Sequence, residues 1–70
     1  MRVAVEIVLN GERKSIDGPV NVIGLLESLG VNPKTVAVER NLKIVARSDY
    51  AKEMVEGGDS VEIIRFVGGG

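Results

Sequence analysis

The residues best suited to chemistry stand at the end of the chain. A strand-like run, residues 60–66, is followed by Val67, Gly68, Gly69 and Gly70. Glycine has no Cβ, so a glycine run reaches backbone conformations closed to other residues and passes through channels too narrow for side chains. The ending therefore favours a terminal carboxylate, at Gly70, that is itself the reacting group. For the glycines taken alone, a frayed chain end is the simpler interpretation.

The composition excludes several other kinds of chemistry. The 70 residues contain no cysteine and no histidine, which excludes Cys or His zinc sites, Cys nucleophiles and His general bases. Scattered surface charge explains Glu39, Asp49, Glu53 and Asp59 better than metal binding does. With 9 basic and 10 acidic residues the net charge is −1. We therefore expect no metal site, no nucleic-acid partner and no membrane partner.

The sequence also indicates where the chain works. The apolar stretches are too short to span a bilayer. Met1 and Arg2 lead directly into an alternating pattern, which predicts that no secretory signal is present. A cytoplasmic, reducing compartment is the expected location.

The first part of the chain predicts a β-hairpin. Apolar residues alternate from Val3 to Leu9, the pattern of a half-buried strand. Asn10-Gly11 follows and is a strong hairpin signal, because both residues tolerate positive φ. Residues 12–16 then form a second short strand. Asp-Gly-Pro at 17–19 is predicted to end it.

One helix is predicted with both of its ends. Asn21 can accept a hydrogen bond from the free amides of the first turn. The apolar residues at i, i+3, i+4 and i+7 from position 22 form a single stripe, and Gly30 stands where helices end in the left-handed conformation. The stripe consists of Val22, Leu25, Leu26 and Leu29.

Further strands are predicted after this helix. Residues 36–40 alternate, Asn41-Leu42 makes a turn, residues 43–45 form a short extra strand, and residues 61–66 form the last one. One helix packed on a mixed sheet is the economical arrangement for so few elements, so the fold class is α+β.

A second, short helix is predicted between the extra strand and the last one. Ser48 is the candidate cap. Tyr50, Ala51, Met54 and Val55 would share its apolar face.

The whole chain resembles the ThiS/MoaD family of ubiquitin-like sulfur carriers, and ThiS most of all. The stretches that carry the resemblance are residues 21–30, 36–41, 44–48 and, most specifically, 58–70. The resemblance implies a β-grasp fold, with a mixed four- to five-stranded sheet on one main helix. It divides the chain into a β-grasp domain, 1–66, and a flexible tail, 67–70. Leu42 departs from the family, which often has Gly there, and Ala46 replaces a frequent Pro.

The resemblance also implies a mechanism in which the carrier is not an enzyme and binds no cofactor itself. A partner adenylyltransferase uses ATP and Mg²⁺ to adenylate Gly70, and a persulfide sulfur donor then converts the adenylate to a thiocarboxylate. Gly68, Gly69 and Gly70 enter the partner's active site. A sulfur-accepting synthase, most of all that of the thiamine thiazole, takes the sulfur. Molybdopterin synthesis, tRNA thiolation, protein modification and a passive interaction module stay open as alternatives.

A docking surface follows from the alternation of the last strand. If Val61 and Ile63 face the core, Ile64 and Phe66 point to the open face of the sheet. The partner-binding residues are predicted to be Ile64, Phe66 and Val67, joined by Val8 and Ala37 from neighbouring strands. In the alternative interpretation, Phe66 folds over an edge of the small core. Arg47 and Arg65 either position the tail or are solvent-exposed charges.

Overall fold

A mixed sheet forms the main layer of the molecule. The structure is a computed structural model and describes residues 1–66. The strands are β1 (Val3–Leu9), β2 (Glu12–Gly18), β3 (Val20–Asn21), β4 (Val36–Arg40), β5 (Lys43–Val45), β6 (Met54–Val55) and β7 (Ser60–Arg65). Five of them follow one another across the main sheet in the order β2-β1-β7-β4-β5, and a separate two-stranded sheet pairs β3 with β6. β1 and β7 are parallel, and the other neighbours in both sheets are antiparallel.

The predicted hairpin is confirmed, but its second strand is longer than expected. Asn10 and Gly11 have φ values of 50° and 83°, as a tight Asn-Gly turn requires. β2 continues to Gly18, which pairs with Val3. A Cβ at Gly18 would lie 2.5 Å from Cγ2 of Val5. The glycine predicted to end the strand is therefore what lets β2 remain close to β1.

The predicted helix is also confirmed. Helix α1 spans Val22–Ser28, and the side chain of Asn21 accepts a hydrogen bond from the Gly24 amide at 2.7 Å. Val22, Leu25 and Leu26 are at most 1% exposed, so the apolar stripe faces the sheet. Gly30 has a φ of 70°, the left-handed conformation expected just beyond a helix.

The second predicted helix is wrong. Its place is taken by a short 3-10 helix, Arg47–Asp49, which begins after Ala46 without a side-chain cap. Ser48 lies inside this turn and caps nothing. Met54 and Val55 form strand β6, which pairs with β3. Val55 and Tyr50 are buried, whereas Ala51 and Met54 are exposed.

The start of α1 explains this outcome. The amide of Val22 donates to the carbonyl of Glu53 at 3.0 Å, and the amide of Ile23 donates to that of Tyr50 at 3.1 Å. These carbonyls satisfy amides that the first turn of a helix leaves free. A second helix over residues 50–55 would use the carbonyl of Tyr50 for a hydrogen bond of its own, so the hydrogen bond from Ile23 favours an irregular chain there.

The core lies between α1 and the main sheet. It is aliphatic apart from Tyr50, whose hydroxyl donates to the carbonyl of Val36 at 3.2 Å. The buried apolar residues are Ile7, Val22, Leu25, Leu26, Val36, Val38, Val45, Tyr50, Val55 and Val61. The helices within residues 1–66 are all too short, or too polar, to cross a membrane.

Candidate functional site

The site begins where the last strand leaves the sheet. Residues 67–70, which include Val67 and the three glycines predicted to react, lie outside the described residues. Phe66 directly follows β7, and its amide donates to the carbonyl of Thr35 at 3.1 Å. This hydrogen bond extends the pairing of β7 with β4 by one residue. The backbone is therefore held in the sheet up to the last residue before the tail.

Phe66 continues the alternation that places Ile64 on the open face of the sheet. It is 58% exposed and is not among the residues that pack against the core. The guanidinium carbon of Arg47 lies 5.9 Å from the centroid of the ring, within the range of a cation–π contact. Such contacts contribute about 0.5–1 kcal/mol at exposed sites. Arg47 therefore lies beside the base of the tail.

The predicted alternation of β7 is confirmed. Val61 is 1% exposed and Ile63 packs against the core. Glu62 and Ile64 are exposed on the other face. Ala37 pairs directly with Ile64 across β4 and β7. Ile64, Ala37 and Phe66 thus form a small apolar surface, as predicted.

Val8 does not belong to this surface, contrary to the prediction. The parallel register places Val8 beside Ser60, at the opposite end of β7 from Ile64. The four intervening steps along a strand correspond to about 13 Å. The side chain of Glu62 lies on the same face between them. The sequence shows that Val8 alternates correctly, but the register of β1 on β7 decides its neighbours.

The open face contains two acidic residues that the sequence reasoning missed as a pair. Glu39 of β4 and Glu62 of β7 are directly opposite each other in the antiparallel register. Ile44 of β5 pairs with Glu39 from the other side and is 77% exposed. Alternation along each strand places Glu39 and Glu62 on this face. That they are opposite each other depends on the register of β4 on β7, which the local sequence pattern does not predict. Like charges directly opposite on neighbouring strands are destabilising.

The other side of β4 carries a neutralised cluster. Arg40 forms ion pairs with Asp59 at 2.6 Å, Glu53 at 3.0 Å and Glu56 at 3.7 Å. Asp59 is buried, and it also accepts hydrogen bonds from the side chain of Asn41 at 3.0 Å and the amide of Glu56 at 2.7 Å. The cluster closes the turn that leads into β7.

Burial and hydrogen bonding act in opposite directions on Asp59. Burial disfavours its charged form, but hydrogen bonds from Arg40, Asn41 and the Glu56 amide outweigh it and hold the pKa of the carboxyl below its ordinary value. The hydrogen bond that Arg40 donates to Asp59, and to a lesser extent the one that it donates to Glu53, raise the pKa of the guanidinium. The charge of Arg40 is thus paired with carboxylates of the same domain. Within residues 1–66, no group of acidic side chains is arranged to hold a metal ion.

Comparison with known proteins identifies the relatives of the chain. The sequence model of the ThiS family matches residues 7–70, which includes all three terminal glycines. A thiazole synthase from Paramagnetospirillum magneticum is 48% identical over 65 residues, and the match covers 93% of this chain and 20% of that protein. A thiazole synthase from Magnetococcus marinus is 40% identical, with the same coverage of 93% and 20%. The chain thus spans about a fifth of these curated relatives.

Solved structures share the fold. The crystal structure of the thiamine biosynthesis protein ThiS from Geobacter metallireducens matches with a TM-score of 0.83 and 35% identity, covering 94% of this chain and 100% of that one. A solution structure of a thiamine biosynthesis protein from the same organism matches with a TM-score of 0.79 and 35% identity, covering 94% and 88%. The predicted β-grasp fold, with a five-stranded mixed sheet and one helix, is confirmed.

Proposed function

The chain belongs to the ThiS family, and we propose that it is a sulfur carrier in thiamine biosynthesis that carries sulfur on its own C-terminal carboxylate. The observation that supports this most is that the family match continues through Gly70. The described residues contribute a compact scaffold whose last strand is held in the sheet up to Phe66. In this proposal the carrier supplies the reacting carboxylate and no catalytic group.

The first proposed step is adenylation of Gly70. Its carboxylate has an ordinary pKa of about 3.3–3.7, so it is anionic and unreactive toward nucleophiles at neutral pH. A partner adenylyltransferase with ATP and Mg²⁺ would transfer AMP to a carboxylate oxygen and release pyrophosphate. The resulting acyl-adenylate has a good leaving group.

The second proposed step introduces sulfur. A protein-bound persulfide attacks the acyl carbon, AMP leaves, and an acyl persulfide forms. A thiol then attacks the donor protein's sulfur in this acyl persulfide. The S–S bond breaks, a disulfide forms between the thiol and the donor protein, and the thiocarboxylate of Gly70 is released. Sulfur transfer needs a persulfide and a reduced thiol, so the proposed compartment is the cytoplasm.

The glycines give this tail its access. In the proposal Gly68, Gly69 and Gly70 enter the partner's active site in extended form, where side chains would not fit. Four residues beyond Phe66 reach at most about 13–14 Å. An enzyme that acts on Gly70 must therefore approach the end of the sheet that carries Phe66, Ile64 and Ala37. This is the support for a docking role of Ile64 and Phe66, with Val67 beside them.

Thiazole synthase is the proposed sulfur acceptor. Two curated relatives bear that name and contain a stretch similar to this chain as a fifth of their length. A carrier-like segment joined to a synthase in one chain is kept at high effective concentration beside it. This supports the thiazole pathway over molybdopterin or tRNA thiolation as the destination of the sulfur.

Intact-mass measurement tests the proposal. The purified chain is incubated with a ThiS-type adenylyltransferase, ATP, Mg²⁺, a persulfide donor and a thiol. The expected product is heavier by the difference between one sulfur and one oxygen. If the mass stays unchanged with an enzyme that modifies another ThiS protein under the same conditions, the carrier function is wrong.

A pair of glycine variants tests the role of the tail. Gly70→Val adds a branched side chain beside the reacting carboxylate and is expected to reduce thiocarboxylate formation at least about 100-fold. Gly57→Ala is the matched control, because a Cβ there would have only an ordinary contact, 3.9 Å from Cγ1 of Val5. The control should react like the wild type. Unimpaired turnover of Gly70→Val would contradict the narrow-channel argument.

A further inference from the structure

The open face of the sheet contains one feature that carrier chemistry on Gly70 does not require. Glu39 and Glu62 are directly opposite each other on β4 and β7. The ion pairs formed within residues 1–66 all involve Arg40, so neither glutamate has a cationic partner there. A single change to glutamine would remove the repulsion. The pair therefore costs stability without a return inside the described fold.

The surroundings of the pair are apolar and exposed. Ile44 lies across from Glu39 on the outer strand. Two residues away along each strand, Ala37 and Ile64 form the next pair of β4 and β7 on the same face. Ile44 is 77% exposed and Ile64 is 45% exposed. Apolar neighbours on two sides of the carboxylates would exclude water from a contact between these carboxylates and a cation of a partner.

We propose that Glu39 and Glu62 form one acidic recognition site for a basic side chain of the adenylyltransferase, with Ile44 and Ile64 as the flanking apolar contacts. The proposal rests on the proposed function for the identity of this partner. A cation placed between two carboxylates converts a repulsive pair into two attractive ones. Binding then relieves the cost that the free carrier bears, so the pair contributes more to the complex than one isolated surface glutamate would.

Charge complementarity favours the adenylyltransferase over the synthase as the occupant. An enzyme that transfers AMP from ATP must hold a triphosphate, and arginine and lysine side chains do this. The tail limits how far that site can be from the open face, since Gly70 reaches at most about 13–14 Å beyond Phe66. The enzyme surface around the entrance is thus expected to be basic, and an acidic carrier face matches it and accelerates association.

The test measures binding and stability on the same variants. Glu39→Gln/Glu62→Gln should weaken the Kd for the adenylyltransferase about tenfold at low salt, and the loss should shrink as the salt concentration rises. The same variant should unfold at a higher urea concentration than the wild type. Glu27→Gln, on α1 on the other side of the sheet, is the control and should change neither quantity appreciably.

A charge reversal separates the two roles more strongly. Glu39→Lys places opposite charges across the ladder, so it should stabilise the fold while weakening binding more than the glutamine variants do. Binding of the double glutamine variant with the wild-type Kd would overturn the proposal, and so would a loss of binding that does not depend on salt. Binding is measured without ATP, so the result does not depend on turnover. If the wild type binds and the charge effects appear, but no thiocarboxylate forms, the proposed function fails and the recognition site stands.

Discussion

The charged side chains on the two sides of β4 differ in whether they have partners of opposite charge. Arg40 points to the side of the core and is surrounded by Asp59, Glu53 and Glu56. Its neighbour in the chain, Glu39, points to the open face and is opposite another glutamate, Glu62. On one side an arginine and three carboxylates satisfy one another. On the other, two glutamates are directly opposite each other and have exposed apolar neighbours.

The difference separates a side whose charges are paired within the fold from a side that, in our proposal, a partner binds. The Arg40 cluster closes the turn before β7 and so fixes the strand from which the tail departs. Charges that are already paired have little left to offer another protein. The open face has unpaired charge and exposed apolar area, which a second surface can use. In this proposal, the side chains that stabilise the fold and those that bind the partner lie on opposite faces of the same two strands.

The largest effect is expected when the paired side is broken. Asp59→Asn keeps the shape of the side chain but removes its charge, and it leaves the guanidinium of Arg40 without its shortest ion pair. We expect a loss of about 2–3 kcal/mol in the free energy of unfolding, because Asp59 is buried. Urea denaturation measures it. Asp49→Asn, at an exposed position, is the control and should stay within about 0.5 kcal/mol of the wild type.

Low pH should reduce the difference in unfolding free energy between the wild type and Asp59→Asn. Because the pKa of Asp59 is lower in the folded protein than in the unfolded chain, its contribution is fully present above the unfolded pKa of about 3.9 and is lost as pH falls through the folded pKa. The gap in unfolding free energy between wild type and Asp59→Asn should therefore be constant near neutral pH and narrow below about pH 4. A gap that widens in acid would contradict the assigned direction.

A smaller effect is expected at Leu42, in the turn after Arg40, because its exposed side chain belongs to neither face of β4. Leu42 has a φ of 70° and is 90% exposed, so its side chain packs little while its backbone is strained. Leu42→Gly should stabilise the protein by about 0.5–1 kcal/mol, as relief of the strain exceeds the added freedom of the unfolded chain. Gly is also the residue that the family often has there. Thermal denaturation measures the gain, and adenylyltransferase binding should not change.

Local patterns predicted most of the elements correctly. The Asn10-Gly11 turn and the cap at Asn21 depend on neighbours within a few residues, so the sequence was enough for them. The second helix failed for the opposite reason. The carbonyl of Tyr50 accepts a hydrogen bond from the start of α1, which is distant in sequence, and a local helix would compete for that carbonyl. The apolar surface was predicted from alternation, and its one wrong member, Val8, was misplaced by register.

By itself, the sequence indicated the family through its resemblance to ThiS. It also determined the strand faces and the Asn10-Gly11 turn, because these follow from short-range periodicity and from the conformations that Asn and Gly allow. Only the tertiary structure decided what lies beside what. It placed Glu39 opposite Glu62, Ala37 opposite Ile64, and Arg47 over Phe66. The physical reason is that strand register and long-range packing are chosen by the whole core at once, and no local run of residues encodes them.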